Sequence, residues 1–224
     1  MSPALREPLG TFKDIDSITF DPHKALVAPL QAVFFLCRHK TLAAKVNSLK
    51  ADYLFHRERA SYSGDLDVGD KQLMCGRVID IFKLWTYFKA NGWKGIAEQV
   101  ESEHSLALHC KEYVLAHPDK FKLMFTEVDT FNTCFWYLPQ RMKVADFASE
   151  ADYWARVSKI TVLAKKFMIE EGKMMCGYSK SKSEYYFWRL VNSNPFNQNK
   201  DVEYELELIG KYCEMAYDEL QAAQ

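Results

Sequence analysis

The sequence predicts an α/β protein in two closely packed parts, and three observations carry that prediction. Two short strand-like runs open the chain and lead into a helical stretch of about forty residues. A second series follows, strand, strand, helix, strand, strand, helix, which describes a sheet with helices laid on it. The 224 residues are 48% hydrophobic and 26% charged, ordinary for a globular chain and sufficient for a sizeable core.

The elements follow in order. Ile15 to Phe20 alternates apolar and polar with β-branched residues and reads as a strand ended by Asp21-Pro22. Gln31 to Cys37 is a second apolar strand, bounded by Pro29 and the charged Arg38-His39-Lys40. Tyr53 to Lys71 is polar, contains Gly64 and Gly69, and reads as a long loop. Val78, Ile81, Phe82, Trp85 and Phe88 recur at helical spacing up to Asn91-Gly92, and a longer helix runs from Gly95 to about Ala116. Phe121 to Val128 and Phe131 to Leu138 read as strands around Asp129-Thr130, and Ser149 to Glu171 as a helix ended by Gly172. Met174 to Tyr178 and Tyr185 to Asn192 read as strands, and Asn199 to about Leu220 as the closing helix. The expected boundary lies within the long helix near residue 100, giving parts 1–100 and 101–224, and with no Pro/Gly/Ser linker there the two parts are expected to pack closely.

Composition removes several function classes. Lys and Arg number 29 against 30 Asp and Glu, a formal charge of -1, so the broad basic field of a nucleic-acid binder is absent. The longest apolar stretch, Ala25 to Cys37, is broken by Pro29 and Gln31 and falls short of the roughly 20 residues of a bilayer span. No secretory signal is visible at Met1, so the cytosol is the expected compartment. The six cysteines are spread singly without a C-x-x-C pair and read as reduced, mostly buried thiols. His104 and His109 are five apart, which does not stack them on a helix face, so no metal site is expected. No G-x-S-x-G, H-E-x-x-H or phosphate-cradling glycine loop supports a hydrolase or nucleotide enzyme.

The sharpest local feature is Ser17-Ile18-Thr19-Phe20-Asp21-Pro22-His23-Lys24, a lysine that follows a strand and a proline turn. Further on stand Tyr53-Leu54-Phe55, Gly69-Asp70-Lys71, Cys75-Gly76-Arg77, Phe82-Lys83-Leu84-Trp85, Asn132-Thr133-Cys134-Phe135-Trp136-Tyr137-Leu138-Pro139 and Phe187-Trp188-Arg189-Leu190-Val191-Asn192-Ser193-Asn194-Pro195. With these motifs in this order the sequence resembles the group II pyridoxal-phosphate-dependent amino-acid decarboxylases, whose signature S-[IV]-T-x-[ND]-P-H-K ends in the lysine that carries the coenzyme. C-G-R, F-K-L-W and C-F-W-Y look like the acidic-substrate branch, glutamate and cysteine sulfinate decarboxylases, and S-N-P after the arginine leans towards glutamate.

The resemblance implies a type I pyridoxal-phosphate fold, here the end of the large domain plus the complete small α+β domain. It implies pyridoxal 5'-phosphate as cofactor, decarboxylation of an acidic amino acid, glutamate to γ-aminobutyrate first and cysteine sulfinate or aspartate next, and a homodimer or a dimer with a full-length subunit. Lys24 falls on the coenzyme lysine, and His23 beside it would help place the phosphate or the substrate carboxylate. Asp21 stands where the acidic branch usually has Asn, and a carboxylate near a phosphate is unfavourable unless hydrogen-bonded. Arg189 matches the arginine that binds the substrate α-carboxylate, a task suited to a bidentate guanidinium. Tyr62 lies in the loop that in the family reaches into the partner subunit's site and returns a proton to Cα. The residues around it, Arg59-Ala60-Ser61-Tyr62-Ser63-Gly64, depart from the family's usual loop.

The resemblance covers the chain but only about the second half of a complete family member. The family's other half holds the histidine stacked on the coenzyme ring and the aspartate paired with its pyridine nitrogen. The expectation is therefore a fragment, poorly active alone. A truncated, non-catalytic paralogue that binds a full-length subunit is the alternative.

Overall fold

In the computed structural model, residues 12–49, 51, 69–74, 76, 79–180 and 184–223 are described. The chain divides into two compact units, Met1–Glu98 and Gln99–Gln224.

The first unit contains strands β1 (Ser17–Phe20) and β2 (Phe34–Cys37), antiparallel with Ser17 opposite Cys37 and Phe20 opposite Phe34. The rings of Phe20 and Phe34 stack at 5.4 Å. The second strand begins three residues later than its apolar pattern suggests. The reason is that side chains take the backbone groups of residues 30–32, as the site below shows, leaving the ladder to start at Phe34. Ile18, Phe35 and Leu36 remain exposed among the described residues.

A short helix α1 (Leu42–Asn47), absent from the sequence reading because six residues show no periodicity, is closed at its C-terminal end by Asp70. Ser48 Oγ donates to Asp70 Oδ2 at 2.6 Å and the Leu49 amide to Oδ1 at 3.2 Å. Helix α2 (Asp80–Ala116) is interrupted at Gly92, whose φ of 63° and ψ of 171° suit a residue without Cβ. This is where Asn91-Gly92 marks a stop in the sequence, and Asn91 Nδ2 donates back to the Tyr87 carbonyl at 2.9 Å.

The second unit is a four-stranded antiparallel sheet in the order β3-β4-β6-β5, with β3 (Phe121–Leu123), β4 (Asn132–Tyr137), β5 (Gly177–Lys180) and β6 (Tyr186–Val191). Two strands differ from the sequence reading. β3 stops at Leu123 because the Met124 amide makes the last bond to β4, at Cys134, and the Val128 carbonyl is engaged by His104 instead of a strand. β5 starts at Gly177 rather than Met174, since pairing begins opposite Arg189. Helices α3 (Glu150–Glu171) and α4 (Asn199–Ala222) have the sequence-expected ends. Ser149 Oγ accepts from the Asp152 amide at 3.2 Å, and Gly172 closes α3 in the left-handed conformation.

Phe135, Trp188, Val157, Ile160, Met168, Leu206, Ile209 and Tyr212 are fully buried in one core with Leu106, Cys110 and Val114 of α2. Each such side chain contributes about 1.5–3 kcal/mol by leaving water. Gly210 lets α4 approach the sheet, for a Cβ there would meet the Tyr137 ring at 3.0 Å. Cys110, Cys176 and Cys213 are buried thiols, and burial pushes their ionisation up, away from reactivity.

One charge is misplaced by ordinary rules. Glu103 is fully buried, its Oε1 accepts from Gln99 Nε2 at 2.9 Å, and its Oε2 has no partner among the described residues. Burial pushes its carboxyl from the ordinary 4.5 to about 7. Because the folded value is the higher one, its contribution to stability is full below pH 4.5 and is lost as pH rises through about 7. Glu103→Gln should therefore raise the urea midpoint at about pH 8, by an amount equivalent to roughly 1–3 kcal/mol, and change it little at about pH 4. An equal effect at both pH values would contradict this reading.

Candidate functional site

The turn after β1 is built from the Asp21-Pro22-His23-Lys24 sequence. Proline fixes its own φ and ends the strand. The Lys24 amide then bonds the Asp21 carbonyl at 2.9 Å, the Val27 amide bonds the Lys24 carbonyl at 3.2 Å, and the Ala28 amide bonds the Pro22 carbonyl at 3.1 Å. Pro22 and Ala28 are buried beneath the turn, so the backbone that carries Lys24 is fixed while its side chain is 70% exposed.

Lys24 Nζ lies 2.6 Å from Asp21 Oδ2. The hydrogen bond from Lys24 holds the Asp21 carboxyl below the usual range, its charge adding to the effect. Asp21 thus faces the lysine that follows it one turn later. His23 is half-buried, and its Nδ1 lies 2.6 Å from the Ala32 carbonyl oxygen. A contact that short is a hydrogen bond when Nδ1 carries the proton, which leaves Nε2 as an acceptor. In the other tautomer Nδ1 accepts from the Ala32 amide, 3.3 Å away, so Ala32 fixes the ring in either case. Lys24, His23 and Asp21 are therefore brought together on one turn.

Arg189 lies in the second unit on the exposed side of β6, opposite Cys134 of β4 on one side and Gly177 of β5 on the other. Its guanidinium has no hydrogen bond or ion pair to a described residue. Its charge is felt by the neighbouring Cys134 thiol, whose ionisation burial pushes up and Arg189 partly restores. Arg189 also borders a cleft of about 410 Å³ with Lys173, Asp201, Tyr204 and Glu205. Burial, then repulsion from Asp201, raises the Glu205 carboxyl. Tyr62 falls outside the described residues.

Sequence reasoning assigned no role to Lys83, within Phe82-Lys83-Leu84-Trp85. Its Nζ donates to the carbonyls of Leu30 at 3.2 Å and Gln31 at 2.9 Å and lies 3.6 Å from Asp80 Oδ1. Those carbonyls are some fifty residues away in sequence, and no local spacing signals such a contact. No group of three or more metal-ligating side chains occurs among the described residues, and none of their helices is long and apolar enough to cross a membrane.

The pyridoxal-dependent decarboxylase conserved domain matches residues 1–138. Mouse (Mus musculus) cysteine sulfinic acid decarboxylase is 32% identical over 210 residues, which cover 92% of this chain and 42% of the relative. The crystal structure of mouse CSAD in apo form superposes with a TM-score of 0.79 at 28% identity, over 95% of this chain and 43% of that one. The Catharanthus roseus tryptophan decarboxylase, in complex with L-tryptophan, shares the fold at 19% identity with a TM-score of 0.71, over 96% of this chain and 42% of that one. The chain thus spans less than half the length of the relatives it matches, with their α/β fold. The chain belongs to the family of pyridoxal-dependent decarboxylases.

Proposed function

We propose that this chain provides the coenzyme lysine and the carboxylate-binding arginine of a decarboxylase acting on an acidic amino acid, glutamate or cysteine sulfinate. In this reading residues 1–100 belong to the large coenzyme domain and 101–224 form the small domain. The observation that carries it is the Lys24 turn: an exposed primary amine on a backbone held by three hydrogen bonds, beside an imidazole fixed by a main-chain carbonyl. Those groups fit the covalent end of pyridoxal phosphate, which needs an amine to attack its aldehyde carbon. When bound, that coenzyme supplies the electron sink for the pair left behind as CO2 departs.

The chain's own residues have separate tasks. Lys24 holds the coenzyme until substrate displaces it. His23 presents its Nε2 in a direction fixed by Ala32. Arg189 grips the α-carboxylate and so orients the bond that breaks. Tyr62, whose phenol O–H can donate, returns a proton to Cα. The acidic preference draws support from the Cys134-Phe135-Trp136-Tyr137 and Arg189 motifs and from the likeness to a cysteine sulfinic acid decarboxylase. The complete protein carrying this chain, supplied with pyridoxal phosphate, should release CO2 from labelled glutamate or cysteine sulfinate faster than from tyrosine. Faster turnover of tyrosine than of either acid would refute the substrate class.

Asp21 gives a second test. Its ion pair to Lys24 has to open before the amine reacts, so Asp21→Asn should speed coenzyme capture by about two- to fivefold, the scale of an exposed ion pair. The rise of coenzyme absorbance after mixing measures it, and a slower rise would show that the carboxylate assists instead.

A further inference from the structure

Resting on the coenzyme-lysine reading, we propose that Lys83 is a positioning residue for the Lys24 turn. Residues 30–32 join that turn to β2 without ladder hydrogen bonds, and contacts from the Lys83 and His23 side chains replace them. Lys83 Nζ donates to the Leu30 and Gln31 carbonyls, and the next residue, Ala32, offers its carbonyl to His23 Nδ1. The ammonium is itself anchored, since its side chain is only 23% exposed and Asp80 Oδ1 lies 3.6 Å away. Charge-assisted bonds to two successive carbonyls fix both the position and the tilt of those peptides. Ala32, fully buried, has no independent freedom, so the His23 ring follows. The path runs from helix α2 through main-chain carbonyls to the imidazole beside the coenzyme amine, and no step needs Lys83 to touch the coenzyme.

The role belongs to the two donated hydrogen bonds. Lys83→Met keeps the length and removes the donors, whereas Lys83→Arg keeps donors and charge. In the complete protein carrying this chain, Lys83→Met should raise hydrogen exchange of the buried Ala32 amide, which bonds His23, about tenfold. It should also raise the pyridoxal phosphate Kd about 10- to 100-fold, as expected for a displacement of about 1 Å. The substrate KM of the saturated enzyme should be unchanged, and Lys83→Arg should restore exchange and Kd. If Lys83→Met yields no soluble protein, Lys83→Gln, whose shorter amide falls short of both carbonyls, carries the same comparison. Unchanged exchange at the Ala32 amide would overturn the proposal, as would equal losses in the Met and Arg variants, which would make side-chain volume the requirement. If the wild-type protein takes up no coenzyme at Lys24, the coenzyme reading fails, and the exchange measurement alone still decides whether Lys83 holds the turn.

Discussion

Lys24→Ala should abolish covalent coenzyme attachment and lower CO2 release by at least about 1,000-fold, the scale on which removal of a covalent nucleophile is felt. The side chain is 70% exposed and has one ion pair among the described residues, to Asp21, so its loss leaves none of their buried groups unsatisfied and the turn keeps its backbone bonds. An effect on activity without an effect on folding is thus expected, checked by assaying CO2 beside a thermal melt of the same sample. Residual activity within tenfold of wild type would move the coenzyme to another lysine.

Arg189→Lys should cost about 100- to 10,000-fold in kcat/KM for the acidic substrate. A lysine keeps the charge but replaces a planar fork by a point, and a carboxylate held by one contact can swing away from the geometry that aligns its bond for cleavage. Stability should hardly change, because the guanidinium is exposed on β6 and has no ion pair to a described residue, and such surface substitutions stay within about 0.5 kcal/mol. Equal rates for Arg189→Lys and wild type, with substrate in competition, would remove the arginine from the site.

Much of this architecture is legible because local signals agree with tertiary ones. Ser149 and Gly172 delimit α3 in sequence and in structure, since a cap oxygen and a residue free to adopt φ of 66° are local requirements. The Asn91-Gly92 break is likewise local. The late start of β2 was not legible, because it depends on Lys83 and His23 claiming the backbone of residues 30–32 across the fold. β5 is displaced for a similar reason, its ends being set by β6 rather than by its own apolar run.

At the site, the turn bearing Lys24 and His23 and the register of Arg189 follow from strand, proline and motif. The contact between Asp21 and Lys24 follows from a turn that brings residue i over i+3, which the Asp-Pro-His-Lys spacing allows but does not demand. Glu103 was invisible: a glutamate on a helix reads as a solvated charge, and only the packing of its face reveals it as buried.

The central claim is that the amine of Lys24 is the one that takes the coenzyme. Borohydride reduction of the complete protein with pyridoxal phosphate, followed by peptide mapping, tests it most directly. A phosphopyridoxyl group on the peptide containing Asp21-Pro22-His23-Lys24, at Lys24 itself, is the predicted result. The same label on a different lysine, with Lys24 unmodified, would contradict it.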